Sequence, residues 1–236
     1  LVPVKWEDGW PVLGKEGKVP VSLDLPAGKG LIPGIVHSDN FKRKKTDPKL
    51  PLVWQWNHNP DNSHWDVNGK KGYFRITTGR VDSDILTTEN MLTQRTIGPK
   101  CEGETRIDVS AMKDGDVAGL MLLQCKYGFA GVKFENGKKY IVMVNTGSGV
   151  PIEVERIPLK GRKVYFKAVC DFTNKRDIAD FYYSLNGKKW NKIGSPLKME
   201  YTLSHFMGYR YGLFNSATKT AGGHVDFDYF NINYTN

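Results

Sequence analysis

The sequence predicts an all-β protein, an antiparallel β-sandwich or jelly roll, and three observations lead to that prediction. The dipeptide Asn-Gly, the strongest local signal for a tight hairpin turn, occurs at Asn68-Gly69, Asn136-Gly137 and Asn186-Gly187. Many short segments alternate between apolar and polar residues, which is the period of a strand with one buried face. No long window shows a helical stripe, and helices do not alternate with strands as they would around a parallel sheet.

The predicted strands follow one another along the chain and are separated by turn residues. They cover residues 53–56, 73–76, 91–97, 104–109, 118–124, 128–134, 139–144, 152–157, 163–171, 181–184, 190–193, 208–215 and 225–234. The strand over 118–124 is apolar on both faces until it reaches Gln124, which is typical of an inner strand covered on both sides. A chain of 236 residues can hold all these strands in one sandwich.

The first 36 residues differ in composition from the rest of the chain. Prolines and glycines are dense between residues 2 and 33, which disfavours ladder-forming strands and favours an extended strap. The same stretch holds Trp6, Trp10 and several aliphatic residues, which are too many for a solvated linker. We therefore expect an extended arm or linker over residues 1–36 that packs on another surface, followed by the sandwich over residues 37–236.

The charge balance is basic, with 34 Lys and Arg residues against 25 Asp and Glu residues and a net charge of +9. Much of the excess follows the Asn-Gly turns, so the charge is scattered and we expect no nucleic-acid partner. The longest apolar run, Leu120 to Leu123, is far shorter than the roughly 18 residues that cross a bilayer, and we expect neither a membrane partner nor a signal peptide in this chain. Three cysteines without paired spacing indicate neither a disulfide framework nor a zinc site.

The sequence offers pairs of carboxylates but no recognisable catalytic centre. An aromatic-rich all-β fold suggests glycoside hydrolysis, which needs two carboxyl groups across the scissile bond. Three pairs share a strand face through their i, i+2 spacing, namely Glu102 and Glu104, Glu153 and Glu155, and Asp226 and Asp228. None lies in the Glu-x-Asp-x-Glu pattern of sandwich endoglycosidases, and no nucleophile elbow or phosphate loop is present. We expect no enzyme activity from this chain.

Several blocks of unusual composition follow one another along the chain. They are LVWQWNHNPD at 52–61, LTQRTIGP at 92–99, SAMKDGDVAGL at 110–120, QCKYGF at 124–129, GYRYGLFN at 208–215 and GHVDFDYF at 223–230. In this order they resemble the C-terminal concanavalin-A-like module of family 43 glycoside hydrolases, which are β-xylosidases and α-L-arabinofuranosidases. The resemblance covers residues 37–236, and WEDGWPVLG at 6–14 is similar to the stretch that precedes the module in those enzymes.

The resemblance implies that the arm leaves an upstream five-bladed propeller, which carries the family's catalytic carboxylates. This chain would then be a non-catalytic carbohydrate-binding module for xylan or arabinoxylan of the plant cell wall, or for xylo-oligosaccharides. The alternative is a structural accessory domain that packs on the propeller and completes its active site without sugar affinity of its own. A free-standing sandwich hydrolase is a third possibility. We also expect an extracellular, secreted protein.

A sugar site combines flat aromatic surface with amide, guanidinium or hydroxyl groups that bind the sugar hydroxyls. Alternation along the first block should turn Trp54 and Trp56 to the core and leave the polar side chains to line a groove. Polar residues in otherwise apolar strands, or beside glycine at strand ends, supply further candidates, with internal packing or internal hydrogen bonding as the alternative role. The predicted carbohydrate-binding residues are Gln55, Asn57, His58, Asn59, Gln94, Arg95, Gln124, Tyr127, Arg210 and Tyr211.

Three aspartates at the two ends of the predicted sandwich are candidates for a structural calcium site. Asp39 lies in the opening segment, and Asp226 and Asp228 lie in the closing strand. The first and last strands of a jelly roll commonly pair, which would bring the three carboxylates to one edge, and concanavalin-A-like domains often hold calcium there. The alternative is that they pair with lysine or arginine, which this basic chain supplies freely. No other cofactor is expected.

Overall fold

The computed structural model describes residues 2–24, 34–47, 49–67 and 69–235, and the chain divides into two compact units, Leu1–Ile32 and Pro33–Asn236. Strands take up 49% of the residues, so the predicted all-β class is confirmed. Over the described ranges there is no α-helix, and the helical turns there are three short 3₁₀ segments, Ile85–Thr87, Thr173–Lys175 and Leu203–His205. No helix in these ranges is long and apolar enough to cross a membrane.

The first unit contains a β-hairpin where the sequence predicted an extended arm. Strands β1 (Val4–Glu7) and β2 (Trp10–Leu13) pair antiparallel, and Asp8-Gly9 forms the turn with φ of 47° and 80°. Asp-Gly is a preferred dipeptide for type I′ turns, and this local signal outweighs the density of proline. Pro11 is tolerated because both strands of a two-stranded sheet are edge strands. Residues 25–33 of the predicted arm lie outside the described residues.

The second unit is a sandwich of two seven-stranded antiparallel sheets, as the sequence predicts. The first sheet contains, in spatial order, β11 (Ile152–Pro158), β10 (Lys138–Asn145), β9 (Gly128–Glu135), β8 (Asp116–Leu123), β15 (Arg210–Ala217), β6 (Leu92–Arg95) and β3 (Gln55–Trp56). The second sheet contains β14 (Asn191–Lys198), β13 (Ile178–Ser184), β12 (Lys163–Asp171), β7 (Lys100–Asp108), β16 (His224–Thr235), β5 (Phe74–Thr77) and β4 (Trp65–Val67). Strands distant in sequence are neighbours in both sheets, as jelly-roll connectivity requires.

The three Asn-Gly dipeptides behave differently. Asn136-Gly137, with φ of 52° and 74°, forms the two-residue turn between β9 and β10 that the sequence predicts. Asn186-Gly187 lies in the longer connection 185–190, where the asparagine side chain accepts the N–H groups of the two residues after the glycine. This Asx-type turn competes with the tight hairpin turn. Asn68 of the remaining dipeptide lies outside the described residues.

The core lies between the two sheets, and alternate residues of each strand enter it. In β12, Val164, Phe166, Ala168 and Cys170 are fully buried, whereas the residues between them are half-buried. Strand β8 differs, since every one of its residues is buried, and a second apolar cluster covers its other face. The prediction of an inner strand covered on both sides is therefore confirmed.

The two tryptophans of the first sequence block pack into the core, as predicted. Trp54 is 7% exposed, and its ring centroid lies 5.3 Å from that of Phe230. Trp56 is half-buried, with its ring centroid 5.0 Å from that of Trp65. The indole N–H of Trp54 donates a 2.9 Å hydrogen bond to the Asp39 carboxylate, so this buried ring has its polar atom satisfied.

Candidate functional site

Six of the predicted sugar-binding residues lie at one end of the first sheet, on or next to β6, β15, β8 and β9, namely Gln94, Arg95, Gln124, Tyr127, Arg210 and Tyr211. The first block does not join them, because β3 runs antiparallel to β6 and carries residues 57–59 toward the opposite end of that strand. Arg210 of β15 is directly opposite Arg95 of β6, and Tyr211 is opposite Gln94. Strand pairing thus brings together residues that are far apart in the sequence. Their exposure then decides which of them can reach a ligand.

Two of the predicted residues, Gln94 and Gln124, are fully buried, and their amides are occupied within the protein. The Gln94 side chain accepts the N–H of His37 and donates to its carbonyl, both at 2.9 Å. The Gln124 amide donates to the Met207 carbonyl at 2.5 Å and accepts the Thr202 hydroxyl at 2.9 Å. Both glutamines hold other segments in place, and neither reaches the surface.

The two predicted tyrosines are also buried. Tyr211 is 1% exposed, and its hydroxyl donates to the thiol sulfurs of Cys101 at 3.2 Å and Cys170 at 3.5 Å. Burial raises the pKa of Tyr211 well above its ordinary value. Tyr127 is 5% exposed and stacks near Phe129 in the second apolar cluster, and burial raises the pKa of Tyr127 to about 12. These rings contribute packing rather than a platform for a ligand.

The polar residues of the first block lie nearer to the surface. Gln55, His58 and Asn59 are exposed, and Asn57 is half-buried. The Asn57 amide donates to the Leu86 carbonyl at 3.3 Å, and Nε2 of His58 lies 2.7 Å from the same oxygen. A carbonyl only accepts hydrogen bonds, so Nε2 must carry the proton of this imidazole. Gln55 and Asn59 are the exposed members of this block whose side chains form no hydrogen bond within the described residues.

Arg95 and Arg210 border a cavity of about 280 Å³. Arg95 is exposed, whereas Arg210 is half-buried and donates a 3.3 Å hydrogen bond to the Thr93 hydroxyl. Burial, and then the neighbouring charge of Arg95, lowers the pKa of Arg210 from its ordinary value. Phe206 lines the same cavity, so two cationic groups and an aromatic ring meet there.

The loop between β14 and β15, residues 199–209, exposes three large apolar side chains that the sequence analysis did not single out. Tyr201, Leu203 and Phe206 are 61%, 79% and 81% exposed. Phe206 follows the 3₁₀ turn Leu203–His205 with φ of 24° and ψ of 40°, a region that non-glycine residues rarely adopt. The signal in the sequence was two aromatic residues, Tyr201 and Phe206, in the stretch without a predicted strand just before Gly208.

Buried hydrogen bonds fix the 199–209 loop from below. Besides the contacts of Gln124, the Tyr209 hydroxyl donates to the Lys126 carbonyl at 2.5 Å and accepts the N–H of Glu200 at 3.3 Å. The Thr96 hydroxyl donates to the Tyr209 carbonyl at 3.0 Å. The loop is therefore anchored at several points while its aromatic side chains face outward.

A second cavity, of about 430 Å³, continues the first along this loop. The two cavities share Thr96, Met207, Gly208 and Tyr209, and the second is bordered by Lys198 and Tyr201. We call the two connected cavities the loop groove. Its walls combine exposed aromatic rings with charged and polar groups, which is an arrangement suited to an amphipathic, hydroxyl-rich ligand.

Comparison with known proteins agrees with this architecture. Residues 38–233 match the sequence model of the family described as the beta-xylosidase C-terminal concanavalin A-like domain, GH43_C2. The chain belongs to this family. The resemblance of the sequence blocks to family 43 glycoside hydrolases is thereby confirmed, as is the concanavalin-A-like fold.

Individual relatives of this GH43 module are longer proteins. A beta-xylosidase of Formosa agariphila is 27% identical over 258 aligned residues, which cover 99% of this chain and 42% of that protein. A solved structure of a bifunctional GH43-CE protein of Bacteroides eggerthii is 60% identical, with a TM-score of 0.85 over 98% of this chain and 30% of the other. A GH43 glycoside hydrolase engineered to display endo-xylanase and exo-arabinofuranosidase activity is 28% identical, with a TM-score of 0.80 over 99% of this chain and 49% of the other. The chain thus spans less than half the length of these relatives.

The three aspartates predicted to bind calcium in this GH43 module are engaged in ion pairs. The Asp39 carboxylate lies 2.6 Å from the Arg43 guanidinium. The Asp226 carboxylate lies 2.7 Å from Arg75 and 2.9 Å from Lys70. Asp228 pairs with Arg106. Across residues 2–24, 34–47, 49–67 and 69–235 no three His, Cys, Asp or Glu side chains group as metal ligands, so the three carboxylates are not brought together in the way that the predicted site requires.

The topology explains this difference from the predicted edge site. The opening segment does meet the last strand, because the backbone N–H and carbonyl of Asp39 bond Phe230 at 2.7 Å in both directions. However, β16 lies between β7 and β5 in the middle of its sheet, where its carboxylates face basic residues of the neighbouring strands. The two closing-strand aspartates also contact different basic residues, since Asp226 pairs with Arg75 and Lys70 whereas Asp228 pairs with Arg106.

Proposed function

We propose that this chain is a non-catalytic module of a larger GH43 glycosidase and that it binds a sugar chain in the loop groove. The observation that carries the proposal is the exposure of two aromatic rings, Tyr201 and Phe206, beside the two connected cavities. Sugars present apolar C–H faces ringed by hydroxyl groups, and open aromatic rings beside polar side chains bind both parts. Arg95, Arg210 and Lys198 supply polar groups here.

The relatives suggest which sugar. The Formosa agariphila relative is named a beta-xylosidase, and the engineered GH43 enzyme is described by endo-xylanase and exo-arabinofuranosidase activity. We therefore propose xylan, arabinoxylan and xylo-oligosaccharides as ligands. The catalytic propeller and its carboxylates would lie in the part of the full protein that this chain does not span. A shallow, partly wet groove with a few stacked rings should give micromolar to millimolar affinity, about 4–8 kcal/mol.

Titration of the 236-residue chain with xylohexaose, or its retardation in a xylan affinity gel, tests this proposal. Phe206→Ala and Tyr201→Ala should each weaken binding about tenfold, because a lost stacking contact is worth roughly 1.5 kcal/mol. Tyr234 provides the matched control, since its ring is 49% exposed on β16 and lies outside the groove. Tyr234→Ala should leave the affinity unchanged. Equal affinity of the three variants would exclude the loop groove as the sugar site.

A second function is favoured by a separate observation, the apolar side chains that both units leave exposed. Trp6 and Trp10 of the hairpin are 73% and 75% exposed, and Leu203 of the 199–209 loop is 79% exposed. Exposed apolar groups of this size suit burial against another protein surface. Because the chain spans less than half of its relatives, we propose that the catalytic domain of the same protein covers them and that the module helps to complete its active site.

This docking function is tested in the full protein, where chain and catalytic domain are joined. Leu203→Asp should lower kcat/KM toward xylo-oligosaccharides, because a charge would be buried in the contact. Leu185→Asp is the control, since Leu185 is 62% exposed in the connection between β13 and β14. If Leu203→Asp and Leu185→Asp leave kcat/KM equally unchanged, the loop does not dock on the catalytic domain.

A further inference from the structure

Two arginines face each other in the first sheet. Arg95 and Arg210 occupy directly opposite positions in the ladder between β6 and β15. Side chains at such positions lie on the same face of the sheet, and like charges there destabilise the pairing. Arg210 is also half-buried, which adds a desolvation cost to the repulsion. The fold therefore retains a pair of charges that opposes its own stability.

Within the described part of the chain neither arginine forms an ion pair, and the acidic groups of the loop groove, Asp177 and Glu200, line its other cavity, where Glu200 pairs with Lys126. The other half-buried arginines, Arg43, Arg75 and Arg106, each pair with an aspartate. The guanidinium of Arg210 instead donates to the neutral hydroxyl of Thr93, and no carboxylate of the described ranges forms an ion pair with either arginine of the pair. An anion bound between the two guanidinium groups would offset this repulsion.

The two guanidinium groups border the 280 Å³ cavity of the loop groove, together with the ring of Phe206. We propose that this cavity binds an acidic sugar residue, a hexuronate, with its carboxylate between Arg95 and Arg210 and its ring against Phe206. The inference rests on the proposed sugar-binding function and deepens it, because it names an acidic sugar substituent as the group that this end of the groove recognises.

The chemistry of the cavity favours a sugar acid over other carboxylates. Guanidinium groups bind carboxylates through paired N–H donors, so two of them can hold one carboxylate firmly. A neutral xylose unit would leave both charges unpaired. An aspartate or glutamate side chain from another protein would neutralise the charges but would fill little of a cavity whose volume suits one sugar ring. A hexuronate uses the charges, the volume and the flat face of Phe206 together.

The test is a calorimetric or NMR titration of the 236-residue chain with D-glucuronate, its methyl ester and acetate. Glucuronate should bind saturably, and the neutral ester and acetate should each bind at least about tenfold more weakly, since each lacks one of the two recognised features. Arg95→Gln should weaken glucuronate binding by a similar factor, and added salt should weaken it further. Arg162→Gln, which removes an exposed arginine between β11 and β12, should change nothing.

Stability gives a second readout in the same variants. Because Arg95 is exposed, Arg95→Gln should fold, and removing one of two opposed charges should raise the melting temperature while glucuronate binding falls. A structural role for Arg95 predicts the reverse, a lower melting temperature. Arg95→Gln therefore distinguishes a binding role of Arg95 from a structural one, even if Arg210→Gln fails to fold.

Three results would overturn the inference. They are equal affinity for glucuronate and its ester, unchanged glucuronate binding by Arg95→Gln, and no binding by the unaltered chain at about 10 mM glucuronate. The last result would leave a carboxylate of a neighbouring protein domain as the counter-charge. Binding of xylohexaose without glucuronate would overturn this inference alone. Binding of glucuronate without xylohexaose would support it and overturn the neutral-xylan part of the proposed function.

Discussion

At the scale of single residues, several buried polar groups of this module act on segments that are distant in sequence. Gln124 is the clearest case, because its fully buried amide joins the end of β8 to Thr202 and Met207 of the 199–209 loop. A buried amide that satisfies groups of a surface loop determines where the exposed side chains of that loop stand. Gln124 thus positions the loop groove without touching a ligand.

Replacing Gln124 by leucine should therefore destabilise the fold and loosen the 199–209 loop. The Met207 carbonyl and the Thr202 hydroxyl would lose their buried partner, and each polar group left unsatisfied costs about 1–3 kcal/mol. Urea denaturation measures the loss, and xylohexaose titration should show weaker binding. Gln55→Leu is the control, since Gln55 is exposed and should change stability by less than about 0.5 kcal/mol. Equal stability of the two variants would contradict this role of Gln124.

Asp116 should make the free energy of unfolding depend on pH with a sign opposite to that of most carboxylates. It is fully buried, Oδ2 accepts the N–H of Lys113 at 2.7 Å and Oδ1 has no partner. Burial raises the pKa of Asp116 from 3.8 to about 6, although the Lys113 N–H and charge lower it in part. The folded state therefore binds the proton more tightly than the unfolded state. The stability that Asp116 contributes is greatest below pH 4 and falls by about 3 kcal/mol as the pH rises through 6.

Asp116→Asn isolates this contribution, because the amide keeps an acceptor for Lys113 but never ionises. The difference in unfolding free energy between Asp116→Asn and the unaltered chain should grow in favour of the variant from pH 4 to pH 7. Asp24→Asn, which changes an exposed carboxylate, should show no such trend. A difference independent of pH would mean that Asp116 titrates as an exposed aspartate does.

At the scale of elements, the alternation of apolar and polar residues predicted strands correctly, but turn dipeptides were also needed to predict how the strands are joined. The predicted strand 163–171 coincides with β12, because its period of two matches one buried face. The arm was predicted from proline density and became a hairpin, since Asp8-Gly9 specifies a type I′ turn. Alternation of apolar and polar residues, together with turn dipeptides, is therefore enough to predict most of the strands and hairpins.

The candidate site was less accessible to sequence reasoning. Arg95 was found as a charged residue in an otherwise small or apolar strand, and Arg210 as one beside glycine at a strand end, but Tyr201 and Phe206 lie in a loop without any period. The position of that loop depends on its contacts with Gln124, which no local pattern encodes. The same lack of long-range information made buried residues such as Gln124 look like ligand contacts.

The turn between β9 and β10 offers a test at this scale. Gly137 has φ of 74°, and a Cβ placed there would meet no atom within 4 Å, so Gly137→Ala changes backbone strain alone. It should cost about 1–2 kcal/mol, which is the penalty of a left-handed conformation for alanine. Gly161→Ala is the control, because Gly161 has no left-handed φ and only ordinary contacts. Thermal unfolding measures the effect. Equal melting temperatures of Gly137→Ala and Gly161→Ala would contradict the type I′ assignment.

At the scale of the whole second unit, the opening segment and the last strand close the sandwich. Asp39 forms the centre of this closure, since its backbone bonds Phe230 and its carboxylate accepts from Arg43 and the Trp54 indole. Burial alone would raise the pKa of Asp39, but the hydrogen bonds from Arg43, Trp54 and the Phe41 N–H lower it below 3.8. The stability that it contributes is therefore present above about pH 4 and lost as the pH falls through the lowered pKa.

Asp39→Asn should destabilise the sandwich by about 3–5 kcal/mol at pH 7, because it removes the negative charge of the buried Asp39 carboxylate from its ion pair with Arg43. Chemical denaturation measures the loss. Asp61→Asn is a suitable control, since the Asp61 carboxylate bonds Ser63 and His64 of its own turn and the contact of Asp61 with Asn90 is made by the backbone carbonyl, which the substitution keeps. A loss at Asp39 no larger than that at Asp61 would mean that the closure does not depend on this ion pair.

Calcium provides the last test, because the carboxylates of the three aspartates can be neutralised either by arginine and lysine or by a bound calcium ion. A cation site at Asp39, Asp226 and Asp228 would need free oxygen ligands, typically six to eight around calcium. In this structure their oxygens already accept from arginine and lysine, and a calcium ion would have to displace those groups and leave them unpaired. The melting temperature of the chain should therefore be the same in excess calcium and in excess chelator. A melting temperature that rises steadily with free calcium, as binding to the folded state alone requires, would contradict the ion-pair arrangement.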